Sequence, residues 1–440
     1  MSPSRRRRIL YLFAVASTIF QIHSSVKQFE NKKAAPSFDL FFDWGSHRQQ
    51  LDSSNPATTI HSHEYFYVNS SIVEPLHKHP HAGAVDMFGR YGYVHDPTIL
   101  LHHQQKPLTE LQLLLDEEKT DLCAPIGYGP EGGKDLARQF FHDHVQVASP
   151  LSEEEAKTIK VFCAIYTHAG NRNQIAAIRQ TWGKRCDGFM AASTETNHDT
   201  ATVHIPHQGP YQGQYKGIWQ KEVRSMVAYF HDNFIEDYDY LFLSGDDTYV
   251  IMENLKVFLL EKSKEIEVES PYFYTGARTH GIWAKNKKGY DPTFFYMGGG
   301  AGYVLSRNTV RSIVQNVFPH CLADTVGSAE DVYMAHCLRN LLNITGLDSR
   351  DDQERDRFIQ YDPLRRAALP NSADRTFMRF VRLQNTWLAE HHNWTAKYGI
   401  QSIAPSVISF HMIQPAVKMR RYDHLLYGAK DETYEKLDCG

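Results

Sequence analysis

The chain has 440 residues, 42% of them hydrophobic and 12% aromatic, enough for one large domain or two modest ones with a buried core. Its 47 basic and 51 acidic residues give a formal net charge of −4. No long basic stripe follows the N-terminus, so composition speaks against nucleic acid as a partner. The first feature along the chain is the run Arg5-Arg6-Arg7-Arg8, followed by an uncharged apolar stretch from Ile9 to Ile22. A span needs roughly 17–25 apolar residues, so this one is short. It reads as an uncleaved signal anchor, with the arginines held in the cytosol and a thin early-secretory bilayer tolerating the length. A cleaved signal peptide, with Ala14-Val15-Ala16 as the cleavage site, is the competing reading. Both send the remainder of the chain into the secretory lumen.

Three sequons fit that address: Asn69-Ser70-Ser71, Asn343-Ile344-Thr345 and Asn393-Trp394-Thr395. So do six cysteines, at positions 123, 163, 186, 321, 337 and 439. None forms a CxxC pair, which disfavours zinc. Residues 23–155 show no sustained periodicity and read as a stem with a poorly specified N-terminal region. The His77-Lys78-His79-Pro80-His81 patch there reads as a polar loop before it reads as a metal site.

From residue 156 onward the pattern becomes that of a packed domain. Lys160 to Tyr166 is an apolar run of strand length, and Asn171 to Trp182 reads as a helix. A longer helix is expected over Tyr215–Phe234, and a buried strand over Asp239–Ser244. Ile251–Lys262 is helical and Tyr272–Thr275 a strand. The run Gly298-Gly299-Gly300-Ala301-Gly302 leads into the apolar Tyr303-Val304-Leu305. Ser328–Leu341 is another helix and Val407–Phe410 a late strand. Strands alternating with helices predict an α/β domain with a mostly parallel, Rossmann-like sheet. Ligands of such sheets bind beyond the carboxyl ends of the strands.

Chemistry-bearing residues gather at such ends. Asp246 and Asp247 follow the Asp239–Ser244 strand directly, and two adjacent carboxylates there are costly unless neutralised. A hard divalent cation carrying a diphosphate would neutralise them; capping the next helix is the plainer alternative. Glu330-Asp331 opens a predicted helix, where the dipole favours an acid; the other use of a carboxylate there is as a general base. His411 ends the last strand, as a core residue or a metal ligand. The glycine run suits either a tight turn or close approach of backbone to a ligand.

Taken in order, these segments resemble the β1,3-glycosyltransferases of glycosyltransferase family 31. The nearest likeness is to its core 1 galactosyltransferases, with the Fringe proteins as cousins. The segments are Thr181-Trp182-Gly183-Lys184-Arg185-Cys186, Trp219-Gln220-Lys221, Asp246-Asp247-Thr248-Tyr249-Val250, Gly298 to Ser306, Glu330-Asp331, Gly346 to Arg350, and Ser409-Phe410-His411. They span about Lys160 to Met412.

The resemblance implies a GT-A type catalytic domain over 156–440, behind a cytosolic tail (1–8), a signal anchor (9–22) and the stem. It implies Asp247 and His411 as protein ligands of Mn²⁺, with Asp246 beside them contacting metal waters or the sugar. Asp331 becomes the catalytic base and Glu330 its neighbour. Gly299 and Gly300 would lie beside the donor sugar. Tyr166, Thr167, His168 and Arg179 would face the nucleotide of a UDP-sugar. The family's disulfide pattern pairs Cys163 with Cys186 and Cys321 with Cys337, leaving Cys123 and Cys439 for a third bridge.

The implied reaction is inverting transfer of galactose from UDP-galactose to the 3-hydroxyl of O-linked GalNAc on glycoproteins. The implied setting is a single-pass type II Golgi membrane protein, with a homodimer as the implied assembly. Two departures bear on this. The family's animal enzymes carry three consecutive acids in the metal motif, and here the first is Gly245. Their aromatic-rich acceptor stretch is not evident in Thr376–Trp394. The alternatives are a Fringe-like transferase with another UDP-sugar, and a transferase-like chaperone or glycan-binding protein without catalysis.

Overall fold

Two largely apolar runs set the architecture. Val161–Tyr166 (β1) and Tyr240–Gly245 (β4) lie side by side and parallel, and both are buried along almost their whole length. A strand buried on both faces belongs inside a sheet covered on both sides. The structure, a computed structural model, describes residues 134–193, 202–204, 218–269, 272–280, 293–322, 327–369, 375–395 and 397–428. The chain divides into two units. The first, Met1–Glu64 with Trp283–Pro292, falls outside the described residues, and all that follows concerns the second. The signal anchor, the Asn69 sequon, the 77–81 histidine patch, Cys123 and Cys439 also lie outside the described residues. Among the described residues, no helix is long and apolar enough to cross a membrane.

Gly188–Ser193 (β2) and Thr202–His204 (β3) extend the sheet beyond β1 as parallel strands. Tyr249–Val250 (β5) follows β4 closely. Tyr274–Gly276 (β6), Arg278–Thr279 (β7), Tyr296–Met297 (β8) and Tyr303–Ser306 (β9) come next. Phe358–Ile359 (β10) and Ser409–Phe410 (β11) complete the set. The central sheet has six strands in the order β3-β2-β1-β4-β9-β6, with β9 antiparallel to both its neighbours. The expected α/β class with a mostly parallel sheet is therefore observed. A three-stranded ribbon, β10-β11-β5, and the pair β7-β8 stand beside it.

Alternation along β1 explains how both faces are covered. Val161, Cys163 and Ile165 share one cluster with Ile175, Ala177 and Ile178 of the helix Arg172–Gln180 (α2) and with Trp182. Phe162 points the other way, its ring 4.9 Å from Phe230 and 5.1 Å from Phe234. Those rings belong to the helix Ser225–Phe234 (α3), which helical turns from Ile218 lead into. The helix after β5, Met252–Glu269 (α4), buries Leu255, Phe258 and Leu259.

Three more helices frame the site: Glu330–Leu342 (α5), Arg375–His392 (α6) and Ala416–Tyr427 (α7). The last two had no counterpart in the sequence reading. Phe140 and Phe141 pack on Phe410 at 5.8 and 6.4 Å, so the core reaches N-terminal of residue 156. Both disulfides implied by the family pattern are present, Cys163–Cys186 and Cys321–Cys337.

Candidate active site

The parallel register puts the ends of β1 and β4 together. Tyr166 sits opposite Gly245, so Thr167 and Asp246 emerge side by side at the carboxyl edge. The Thr167 hydroxyl donates to Asp246 Oδ2 at 2.5 Å, and Asn171 Nδ2 donates to the same oxygen at 2.7 Å. Asn171 precedes the first turn of α2, and its amide reaches Asp246 instead of capping its own helix. Neither Asp246 nor Asp247 caps α4, which starts only at Met252. Burial is the largest influence on the Asp246 carboxyl and lifts it above the usual aspartate range, against the two hydrogen bonds.

Asp247 meets His411 through a different register. In the ribbon, Phe410 pairs antiparallel with Tyr249 and Ser409 with Val250. The residue after β11 therefore lies beside the residues before β5. His411 Nε2 stands 3.3 Å from Asp247 Oδ2, and the Ile413 N–H closes the chain back onto the Asp247 carbonyl at 2.8 Å. The ring's orientation is fixed from behind: Nδ1 lies 3.0 Å from the Gln360 carbonyl, which can only accept, so Nδ1 carries a proton and Nε2 faces Asp247. Burial works against a charged His411. The hydrogen bond and the charge of Asp247 outweigh it, and the imidazole is raised above its ordinary value.

The third component comes from the glycine turn before β9. The Gly299 N–H donates to Asp331 Oδ2 at 2.9 Å, and the Gly300 carbonyl accepts from the Thr248 hydroxyl at 2.7 Å. Side chains are excluded at both positions. A Cβ on Gly299 would overlap Glu330 Oε1, and one on Gly300 would overlap the His411 ring. The turn thus lies between the Asp247–His411 pair and the Asp331 carboxylate, which opens α5 and is half-buried. Burial raises the Asp331 carboxyl. The N–H groups of Gly299 and Val332 and the nearby His411 act in the opposite sense without cancelling that rise.

Glu330 has a different situation from its neighbour. It is 3% exposed. Tyr303 donates to one of its oxygens at 2.8 Å and Tyr166 to the other at 3.3 Å. Burial, then the charge of Asp331, pushes it well above the carboxylate range. It underpins Asp331 from inside the fold.

Tyr166, Thr167, Asp246, Asp247, Gly299, Gly300, Glu330, Asp331 and His411 are thus brought to one edge of the sheet. Arg179 is not among them. It lies in the last turn of α2, with its guanidinium 5.6 Å from the Phe189 ring. Phe189 pairs with Cys163, three residues before the end of β1. The helix runs back along the sheet, so a residue near its end is carried away from the carboxyl edge. Asn171 and Gln360 belong to the site and were missed by sequence reading. Asn171 carried a weak signal, as a polar residue between strand and helix; Gln360 acts through its backbone and carried none.

The donor set suits a divalent cation. Carboxylate oxygen suits hard Mg²⁺- and Mn²⁺-type ions, and imidazole nitrogen suits transition metals, so the mixed pair points to a transition-metal dication such as Mn²⁺ rather than Mg²⁺. Ligands in adjacent octahedral positions, with bonds near 2.1 Å, stand about 3 Å apart, close to the separation of Asp247 and His411. Among the described residues, no group of three or more His, Cys, Asp or Glu is arranged to hold a metal. Two protein donors leave room for substrate oxygens and water to complete a shell.

Residues 156–352 match the Fringe family, described as Fringe-like. That segment carries Asp246, Asp247, the glycine turn and the Glu330-Asp331 pair, and ends before His411. The chain is similar to glycoprotein-N-acetylgalactosamine 3-beta-galactosyltransferase 1 of Xenopus laevis. The two are 27% identical over 295 residues, 67% of this chain and 73% of that protein. It is also similar to chondroitin sulfate synthase 3 of Homo sapiens (27% identical) and of Mus musculus (26%), each over 120 residues, 27% of this chain and 13% of the synthase.

Proposed function

Starting from a glycosyltransferase family 31, core 1 galactosyltransferase-like chain with a Fringe-like domain at 156–352, we propose that the protein is an inverting, metal-dependent β1,3-galactosyltransferase. It moves galactose from UDP-galactose to the 3-hydroxyl of O-linked GalNAc on glycoproteins. It does so in the Golgi lumen as a type II membrane protein, with the sheet and its edge forming a GT-A type domain. The observation that carries the reading is the placement of the Asp331 carboxylate on one side of the Gly299–Gly300 turn and the Asp247–His411 pair on the other.

In this reading Asp247 and His411 would hold Mn²⁺, which when bound would offset charge on the departing diphosphate. Asp246, fixed by Thr167 and Asn171, orients what lies beside it. Asp331 Oδ1 or Oδ2 takes the proton from the acceptor hydroxyl. The alcohol oxygen forms its bond to the anomeric carbon as the bond from that carbon to the diphosphate oxygen breaks, and UDP leaves from the opposite face. One displacement inverts the configuration and needs no covalent sugar–enzyme intermediate. A Cβ on Gly299 or Gly300 would intrude between the two halves, which gives the small residues there a chemical reason.

The test is a transfer assay on the purified lumenal part of the chain. It uses a GalNAc-bearing peptide, UDP-galactose, UDP-GlcNAc or UDP-GalNAc, and Mn²⁺ or chelator. Turnover with UDP-galactose and Mn²⁺ is expected, and either Asp247→Ala or Asp331→Asn lowers it by at least about 10² while circular dichroism stays native. Preference for UDP-GlcNAc would move the protein to the Fringe-like alternative. A folded chain inert toward all three donors would make it a chaperone or glycan-binding relative.

A further inference from the structure

Two helices in the described chain end on an asparagine in the left-handed region: Asn343 (φ 53°) after α5 and Asn393 (φ 51°) after α6. In each case the next residue's N–H returns to a carbonyl six positions back, Ile344 to Leu338 at 3.1 Å and Trp394 to Leu388 at 3.4 Å. That turn favours Gly or Asn at the left-handed position, so helix termination alone accounts for both asparagines. It does not account for a threonine two residues further on. At the first turn Asn343 and Thr345 are exposed, while Ile344 between them is buried. The backbone therefore anchors the middle residue in the core and presents the outer two to water.

The surroundings of Asn343 add a second observation. Leu341 is 45% exposed and Leu347 42% exposed, and they flank the sequon on both sides. Scattered exposed leucines are ordinary, but here two bracket one tripeptide. Asn393 shares the turn without such a flank.

We propose that Asn343 is an N-glycosylation site whose glycan covers Leu341 and Leu347. The proposal rests on the lumenal location given under Proposed function. The co-substrate class is a lipid-pyrophosphate-linked oligosaccharide, presented by the host's oligosaccharide transferase. Asn343 Nδ2 forms a bond to the anomeric carbon. The bond from that carbon to the pyrophosphate oxygen breaks, the lipid pyrophosphate leaves with the electron pair, and one amide proton passes to a base of the host transferase. About 18 Å of helix separates Asn343 from Asp331 at the other end of α5, so the glycan stands clear of the proposed active site.

The experiment expresses the full chain in a secretory eukaryotic host, with an Asn-Gly-Thr control sequon appended to its C-terminus. Glycan occupancy is read by peptide N-glycosidase gel shift and by the Asn-to-Asp mass change in the Asn343 peptide. Thr345→Ala is expected to remove one glycan step, and Thr345→Ser to retain it; neither alters the left-handed residue. Thr345→Ala is also expected to lower soluble yield, and Leu341→Ser with Leu347→Ser to restore it. An occupied control sequon with an unmodified Asn343 overturns the site and leaves the lumenal reading intact. An unmodified control sequon together with an unmodified Asn343 overturns both. An occupied Asn343 whose loss leaves yield unchanged overturns the covering role.

Discussion

Asp331 and Glu330 are adjacent in sequence, yet one opens toward the cleft and the other is sealed beneath it by two tyrosines. The base role proposed for Asp331 needs the unprotonated form, and burial raises Asp331. The acidic limb of a kcat/KM–pH profile should therefore fall at a pH above the ordinary aspartate range: activity is lost as pH drops through that raised value. Asp331→Asn should lose about 10²–10⁴ in rate and show no such limb in its residual activity.

Gly245 invites a second measurement. A Cβ there would lie 3.3 Å from the Tyr166 ring and 3.4 Å from Asp247 Oδ1. Restoring an acid with Gly245→Asp should crowd Tyr166 off Glu330 and set a third charge against Asp247. A fall in kcat is expected, with Tyr166→Phe as the comparator that loses only the hydroxyl; an unchanged kcat in Gly245→Asp would show the position to be neutral. The sequence made the paired acids and His411 visible because charges at strand ends are conspicuous. It could not separate the environments of Glu330 and Asp331, which depend on tyrosines contributed by two distant strands.

At the scale of elements, strands with an apolar run were legible and the shortest isolated ones were not. β1 and β4 are continuous buried stretches and stood out, and β6 and β11 lie at the ends of the expected Tyr272–Thr275 and Val407–Phe410 strands, whereas β5 and β10 are two residues each and exist only through pairing. Yet the β11–β5 register is what carries His411 to Asp247. The long helix α6 has no counterpart in the sequence reading, although Phe377, Val381, Gln384, Trp387 and Leu388 recur at helical spacing and are buried. Arg179 shows the converse error: its helix was found, but direction along the sheet decides which end of a helix reaches the site. The disulfide from β1 to Cys186 makes a prediction at this scale. It closes a sequence separation of 23 residues, so replacing both cysteines by alanine should cost roughly 2–4 kcal/mol. Denaturant unfolding of the double variant checks this, and a stability equal to the parent's would show that core packing alone holds β1 in place.

At the scale of the whole molecule, the proposed site is assembled from the ends of β1 and β4, the turn before β9, the start of α5 and the residue after β11, spanning Tyr166 to His411. No one of these segments holds a complete site, so a ligand that bridges them binds the folded state and not its parts. Such binding stabilises by mass action, by about 2.7 kcal/mol at a ligand concentration one hundred times Kd. In a domain of this size that corresponds to a Tm rise of roughly 4–5 °C. Mn²⁺ with UDP should therefore raise Tm by several degrees, measured by calorimetry without any acceptor present, and chelator should reverse the rise. Asp247→Ala and His411→Ala should each abolish it, because each removes one of the two protein donors. Asp331→Asn should retain it, because the proposed mechanism turns that carboxylate toward the acceptor and not the diphosphate. A rise preserved in Asp247→Ala, or lost in Asp331→Asn, would reverse the division of the cleft into a donor half and an acceptor half.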